Sequence, residues 1–202
     1  MTERDLFTLL SDEVEVVLAF DTNAIFGNHA FDPFIQLCNA INRLNEIRNS
    51  RRIRKVMAAP VYMEKLHHLR QQYRDYDHQK IRQFLDEKGV EVMPVVREHA
   101  EHVAGLLGEL YPATEDWWAF KRQRCLSCLR LPGHLAHEAK GNGKKCGATI
   151  DWLVAGHADA EGYVLVTNER RGPEFESVKR KATLATVVTV VDEVLRTTGT
   201  PP

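Results

Sequence analysis

Several classes of protein are excluded by what this sequence lacks. No apolar run approaches the roughly 18 residues that a membrane-spanning helix requires. Only 4 of its 202 residues are cysteine, too few and too unevenly placed for a disulfide-stabilised scaffold. The N-terminus carries acidic residues where a signal peptide has a basic region, so export is not expected. We therefore expect a globular cytoplasmic protein that does not contact membranes.

The sequence also lacks an excess of charge of either sign. Its 27 Lys and Arg residues are balanced by 28 Asp and Glu residues, which argues against a uniformly basic nucleic-acid-binding protein. The basic residues are nevertheless concentrated in two places, residues 48–55 and residues 121–145. Each cluster is either a solvated loop or a local patch that could contact an anionic partner.

Apolar periodicity predicts strands that alternate with helices. Apolar runs rich in β-branched residues, typical of buried strands, occur at 14–20, 55–60, 90–96, 163–167 and 186–191. Helices are predicted after an Asp32-Pro33 cap, from about 61 to Gly89 as one helix or a pair, over 97–110 and over 148–160. This alternation predicts an α/β fold with a mainly parallel sheet, in a single domain over 1–202. Residues 111–146 are predicted to form a helical or loop insertion.

Polar side chains follow two of the predicted strands at the point where each strand ends. A carboxylate, a hydroxyl and an amide follow the first strand at 21–23, and the same three groups end the 163–167 strand at 167–169. Ligands of open parallel sheets bind beyond the carboxyl ends of the strands, so these side chains are expected at one edge. Glu64, near the start of a predicted helix, and Asp151, in the first turns of another, could face the same edge.

We call the four carboxylates predicted there the acidic rim: Asp21, Glu64, Asp151 and Glu169. Gathered together they would repel each other and raise some of their pKa values unless a cation neutralised them. Oxygen ligands without a histidine partner suit Mg²⁺ or Mn²⁺, and such an ion can activate water for attack on a phosphodiester. Taken singly, each acid can also be explained as a turn former, a helix cap or a solvated helix residue.

Three segments resemble the PIN domain family of metal-dependent ribonucleases, which includes the VapC-type toxins of toxin–antitoxin pairs. VVLAFDTNAIFG (16–27) resembles the opening strand with its first acid, and APVYMEKLHHL (59–69) resembles the segment with the second acid. GATIDWLVAGHADAEGYVLVTNERRGPEF (147–175) resembles the closing segment, where an acid opens a helix and a strand ends in Thr-Asn-Asp. The sequence departs from the family pattern at Glu169, where Asp is commoner, and at Glu174-Phe175, which follows later than the family's Asp-Phe.

The resemblance implies a three-layer α/β/α fold around a mainly parallel five-stranded sheet. It also implies an endoribonuclease whose catalytic and metal-binding residues, for Mg²⁺ or Mn²⁺, are the four acids of the acidic rim. Four neighbouring side chains would orient the metal: Thr22, Asn23, Thr167 and Asn168. The products would carry 5′-phosphate and 3′-hydroxyl ends. If the chain is a toxin, a small antitoxin protein would occupy the rim; the sequence does not decide whether the chain also forms a homodimer.

The predicted insertion contains cysteines and histidines among basic residues. The candidate zinc ligands are Cys125, Cys128, His134, His137 and Cys146, which could form a tetrahedral structural site. Buried free cysteines are the alternative reading of the same residues. The candidate RNA-binding residues are Lys121, Arg122, Arg124, Arg130, Lys144 and Lys145, which could pair with phosphates of single-stranded RNA while nearby aromatic side chains stack on bases.

Two functions remain open on the sequence alone. The first is a metal-dependent endoribonuclease. The second is a non-catalytic PIN-like module that binds nucleic acid or protein and is stabilised by zinc, an alternative that Glu169 leaves open. A phosphatase or response-regulator relative that uses Asp21 as a phospho-acceptor is disfavoured, because it would need a second aspartate near Asp21 and a suitable lysine after a later strand.

Overall fold

The computed structural model describes residues 1–27, 29–73, 77–116, 119, 148–169 and 173–198. Within this part of the chain, five parallel strands form one sheet in the order β3-β2-β1-β4-β5. The strands are β1 (Glu15–Phe20), β2 (Arg52–Ala58), β3 (Val90–Met93), β4 (Val164–Val166) and β5 (Lys181–Ala182). The helices are α1 (Glu3–Asp12), α2 (Thr22–Phe26), α3 (Phe31–Ile47), α4 (Ala59–Gln72), α5 (His78–Lys88), α6 (Arg97–Leu110), α7 (Ala148–Ala160), α8 (Pro173–Glu176) and α9 (Leu184–Thr198). The predicted α/β class with a five-stranded parallel sheet is confirmed.

Two groups of helices flank the sheet. In one group α9 packs against α1 and α3, and in the other α7 packs against α4 and α6. Every residue of β1 after Glu15 is buried, which is typical of a central parallel strand that is covered on both faces. None of the helices in the described ranges is both long enough and apolar enough to cross a membrane.

The sheet order places the ends of β1 and β4 at the centre of one edge. From β1 the strands proceed outward through β2 and β3 on one side and through β4 and β5 on the other. Parallel sheets bind ligands outside the carboxyl ends of their strands, at such a reversal of strand order. Phe20 pairs with Val166 in register, so the next residues, Asp21 and Thr167, emerge side by side.

The prediction of a strand at 186–191 is wrong, because this segment belongs to helix α9. The side chains that α9 buries follow helical spacing: Leu184, Val187, Val190, Val191 and Val194. Their packing against α1 and α3 outweighs the preference of a valine-rich run for strands, which is a weak and context-dependent preference. The fifth strand is instead the two-residue β5, immediately before α9.

Other differences concern where the elements begin and end. The prediction that Asp32 caps a helix is wrong: α3 begins at Phe31 after an Ala30 N-cap, and Asp32 lies in its first turn. Gly89 closes α5 in the left-handed conformation with φ of 64°, which confirms the predicted helix end. β3 ends before Pro94 and lies at an edge of the sheet, where proline is tolerated. Helix α1 has no counterpart among the predicted elements.

Candidate functional site

Asp21 is held between the ends of the two central strands. Its backbone N–H donates to the carbonyl oxygen of Val166 at 3.0 Å, which extends the pairing of β1 with β4 by one residue. The side chain caps α2, with Oδ1 accepting from the Thr22 N–H at 2.7 Å. Oδ2 accepts from the Thr167 hydroxyl at 2.9 Å. Asp21 is only 6% exposed, so the fold has buried a carboxylate at the point where strand order reverses.

Two hydroxyl groups connect Asp21 with two further acids of the acidic rim. The Thr22 hydroxyl donates to Oε2 of Glu64 at 2.5 Å, and this bond joins α2 to α4. The Thr167 hydroxyl, which donates to Asp21, accepts from the backbone N–H of Glu169 at 3.1 Å. Both glutamates are half-buried. The structure therefore brings three of the four predicted acids to one place.

Burial and neighbouring charge both act on the carboxyl group of Asp21. Burial has the largest effect and raises the pKa of Asp21 to about 6 from its ordinary 3.8. The hydrogen bonds from Thr167 and Thr22 act in the opposite direction, because they stabilise the charged form. The charges of Glu64 and Glu169 raise the pKa further. A positive charge beside Asp21 would therefore be strongly favoured.

Asn23 and Asn168 connect the polar ends of β1 and β4 to each other. The Asn23 side-chain oxygen accepts from the Asn168 N–H at 2.8 Å, and the Asn168 side-chain amide donates to the Asn23 carbonyl at 3.3 Å. Asn168 also accepts from the backbone N–H of Leu184, the first residue of α9, at 3.2 Å. These amides fix the positions of backbone segments around the acidic rim. Their predicted role in orienting a metal stays a prediction.

Asp151 lies at the same edge of the sheet as Asp21. It is half-buried in the first turn of α7, which packs against α4 and β4. A helix that leads into the next parallel strand of a sheet runs antiparallel to that strand. The amino end of α7 is therefore at the edge where the strands end.

The acids do not form a finished metal site as they stand. Within the described ranges, no set of three or more His, Cys, Asp or Glu side chains is arranged to hold a metal ion. Asp21 and Glu64 are instead bonded to protein hydroxyl and amide groups. The donor chemistry nevertheless fits Mg²⁺ or Mn²⁺, because every candidate ligand is a carboxylate and Asp21 is desolvated. Holding such an ion would require side chains to exchange these hydrogen bonds for metal ligation.

Comparisons with known proteins add little. No protein-family model matches the sequence, and no curated protein is similar to it. A solved structure of VapBC2 from Rickettsia felis, bound to a DNA fragment from its promoter, resembles this chain with 17% sequence identity and a TM-score of 0.45. The match covers 83% of this chain and 98% of that chain. This likeness is too weak to assign a family or a function.

The predicted zinc ligands and RNA-binding residues lie outside the described residues. The zinc candidates concerned are Cys125, Cys128, His134, His137 and Cys146, and the RNA-binding candidates are Lys121, Arg122, Arg124, Arg130, Lys144 and Lys145. Most of the predicted insertion at 111–146 is outside them too. Cys38, the single cysteine in the described part of the chain, is buried in α3.

Lys65, on α4 directly after Glu64, is a cation that no pattern in the sequence singles out as functional. The ammonium group of Lys65 lies over the ring of Phe26, 4.4 Å from the ring centroid. Burial lowers the pKa of Lys65. Only the position of Lys65 directly after Glu64 could have drawn attention to it, because the contact depends on how α2 packs against α4.

A second group of ionisable side chains lies near the opposite end of β4. His157, at the end of α7, is 1% exposed and packs edge-on against the rings of His99 and Tyr163. His99 is bonded through Nε2 to Glu161 at 2.7 Å. Burial has the largest effect on His157 and lowers its pKa to about 4. This histidine is therefore neutral at physiological pH and packs against its aromatic neighbours.

Proposed function

We propose that this chain is a nuclease that cleaves RNA with the help of Mg²⁺ or Mn²⁺ bound at the acidic rim. One observation carries the proposal: the fold buries Asp21 where strand order reverses and places two more carboxylates beside it. A protein gains nothing in stability from this arrangement, since burial disfavours the charged form of Asp21 and the neighbouring carboxylates repel it. A bound divalent cation would account for it.

The chain's own residues would hold the ion and position the substrate. Asp21, Glu64, Asp151 and Glu169 would be its ligands. When bound, Mg²⁺ or Mn²⁺ would lower the pKa of a water molecule and stabilise the charge that develops on a phosphodiester. The hydroxyls of Thr22 and Thr167 restrict the orientations of the acids that they bond. The burial of Asp21 strengthens its interaction with any cation, because water is largely excluded there.

The proposed nuclease function implies three binding partners: RNA, zinc and an antitoxin protein. The substrate would be RNA, held in part by the basic residues of 121–145, and zinc would be a structural ion of that segment. An antitoxin protein that covers the acidic rim is proposed as the regulator. Whether two copies of the chain associate would be decided by measuring the mass of the protein in solution.

The test is RNA cleavage by the wild-type protein and by Asp21→Asn, each with Mn²⁺ and with EDTA. Asn keeps the size of the side chain and its cap on α2 but removes the charge. We expect the wild type to cleave only with Mn²⁺ and the variant to lose about 100-fold or more, the scale of removing one electrostatic stabiliser of a transition state. Asp86→Asn, at an exposed acid on α5, is the matched control and should retain activity.

The alternative is a non-catalytic binding module. It is favoured by the hydrogen bonds that occupy Asp21 and Glu64, and by the lack of a finished metal site in the described ranges. The same assay decides between the two functions. Equal cleavage by the wild type and Asp21→Asn, or none by either with Mn²⁺, would refute the nuclease. Circular dichroism spectra of all three proteins establish that they are folded.

A further inference from the structure

We propose that Lys65 binds a phosphate group of the RNA strand, beside the carboxylates of the acidic rim. This inference rests on the proposed function and extends it to a substrate contact. The observation behind it is that the Lys65 ammonium lies over the ring of Phe26, 4.4 Å from the ring centroid.

The packing of α2 against α4 sets the distance between Lys65 and the rim. Thr22 and Phe26 are four residues apart on α2, so they lie on the same face of that helix, about one turn or about 6 Å apart along its axis. The first of them bonds the Glu64 carboxylate, and the second supports the Lys65 ammonium. The cation and the acid therefore meet α2 at points one helical turn apart, which places Lys65 next to the proposed site of cleavage.

Among the described residues, the charge of Lys65 is not paired with an acid. In the described part of the chain it forms no salt bridge, and the preceding Glu64 points elsewhere because adjacent helical residues do not face each other. An aromatic face attracts an ammonium group but leaves its charge unneutralised. Lys65 is half-buried, so the protein bears part of the cost of desolvating this charge without an anion to offset it.

Several cations of the 48–55 cluster differ from Lys65 because they are committed to protein groups. Arg54 is paired with Glu15 and Glu91, and the buried Lys55 is bonded to the side chain of Asn42. Arg48 donates to the carbonyl of Leu10 at 2.6 Å. Phosphate contacts position a nucleic acid strand and do not read its sequence. Lys65 is suited to this role because it offers a phosphate group a positive charge beside the carboxylates that would repel it.

The experiment measures binding of a labelled single-stranded RNA in EDTA, which prevents cleavage, between about 50 and 200 mM salt. Lys65→Gln should weaken binding about fivefold near 0.1 M salt and reduce the slope of log affinity against log salt by about 0.7, the value for one phosphate contact on a single strand. Lys65→Arg should retain the wild-type slope. Lys80→Gln, at an exposed lysine on α5, is the matched control and should match the wild type.

A purely structural role for Lys65 would give a different result. If Lys65 only joined α4 to α2, Lys65→Gln would lower the melting temperature and leave the salt slope unchanged, and this result would overturn the proposal. A second measurement on the wild-type protein does not depend on how the variant folds. Chemical acetylation followed by mass spectrometry should show that RNA protects Lys65 and not Lys80, and equal labelling of Lys65 with and without RNA would also overturn the proposal.

Failure of the inference is distinguishable from failure of the proposed function. If the wild type cleaves RNA with Mn²⁺ and Lys65→Gln binds with full affinity and an unchanged slope, only the role of Lys65 is lost. If the wild type neither binds nor cleaves single-stranded RNA, both are overturned.

Discussion

At the scale of single residues, Asp21 combines two opposed requirements. Burial disfavours its charge, whereas the Thr22 N–H and the Thr167 hydroxyl favour it. The result is a carboxyl group that gains or loses a proton near pH 6 when no cation is bound. Protons and metal ions would therefore compete for this side chain in the weakly acidic range.

This competition predicts how Mn²⁺ affinity depends on pH. Because Asp21 must be deprotonated to act as a ligand, the apparent affinity should be constant above about pH 7. It should fall by about tenfold for each unit below pH 6. Thr167→Val removes a bond that lowers the pKa of Asp21, so the fall should begin at a higher pH, whereas Thr167→Ser keeps the hydroxyl and should match the wild type. Isothermal titration calorimetry at several pH values measures the affinity.

The Thr167 variants also provide the control for this prediction. Val and Ser both alter the packing of the 1% exposed Thr167, but only Val lacks the donor. An identical pH dependence in all three proteins would show that the hydroxyl does not act on Asp21.

The sequence could predict which strand ends meet but not how their side chains bond. Asp21 and Thr167 each follow a clearly apolar strand, and the carboxyl ends of parallel strands share an edge. The bond from Thr22 to Glu64 depends on α2, which is too short for its periodicity to be recognised. The contact of Lys65 with Phe26 depends on the same helix. Both are tertiary contacts that no local pattern encodes.

At the scale of secondary-structure elements, α9 shows why composition alone misleads. Its valines and threonines are typical of strands, but the buried positions recur every three or four residues. An isolated segment of this composition would be a poor helix, since β-branched side chains lose rotamer freedom in helices. The apolar face that α9 presents to α1 and α3 supplies the stability that propensity does not.

Two adjacent substitutions test whether the segment is a helix in solution. Val190→Ala should lower the free energy of unfolding by about 2 kcal/mol, because Val190 is buried. Thr189→Ala, at the exposed neighbour, should be neutral or stabilising by about 0.5 kcal/mol, since alanine has the higher helix propensity. Urea denaturation of both variants measures the change.

The sign of the Thr189 effect distinguishes the two structures. In a strand, replacing threonine with alanine is destabilising, because alanine is depleted in strands and threonine is favoured. A loss of stability in Thr189→Ala, comparable to that of Val190→Ala, would therefore favour the sequence-based strand over helix α9.

At the scale of the whole molecule, two buried groups make opposite contributions to the dependence of stability on pH. His157 has a folded pKa near 4, below its ordinary 6.5, so the unfolded chain binds more protons and stability falls as the pH drops from about 6.5 towards 4. Asp21 has a folded pKa near 6, above its ordinary 3.8, so the folded chain binds more protons and stability rises as the pH drops from about 6 towards 3.8. Each effect amounts to about 3 kcal/mol.

These two contributions oppose each other. Together, Asp21 and His157 should therefore change the free energy of unfolding of the metal-free wild type little between pH 6 and pH 4. Asp21→Asn leaves His157 alone, so its stability should fall steeply with acidification over this range. His157→Phe, which keeps a ring against His99 and Tyr163, should instead gain stability on acidification. At pH 7 the free energy of unfolding of Asp21→Asn should exceed that of the wild type by about 2 kcal/mol, because the substitution removes a buried charge. Urea denaturation in EDTA at each pH measures these values.

A wild-type profile as steep as that of Asp21→Asn would contradict this balance. It would mean that Asp21 titrates in the folded protein as it does in the unfolded chain. A flat profile in His157→Phe would mean the same.

The hydrogen bond between Asp21 and Thr167 joins positions 146 residues apart in the chain. On a ribosome, Asp21 emerges well before the strand that carries Thr167 and the helix start that bonds Asn168. A nascent chain that stalls in between carries Asp21 without these partners. If the proposed function holds, the nascent chain would be unable to cleave the message that encodes it until both of these elements have been synthesised.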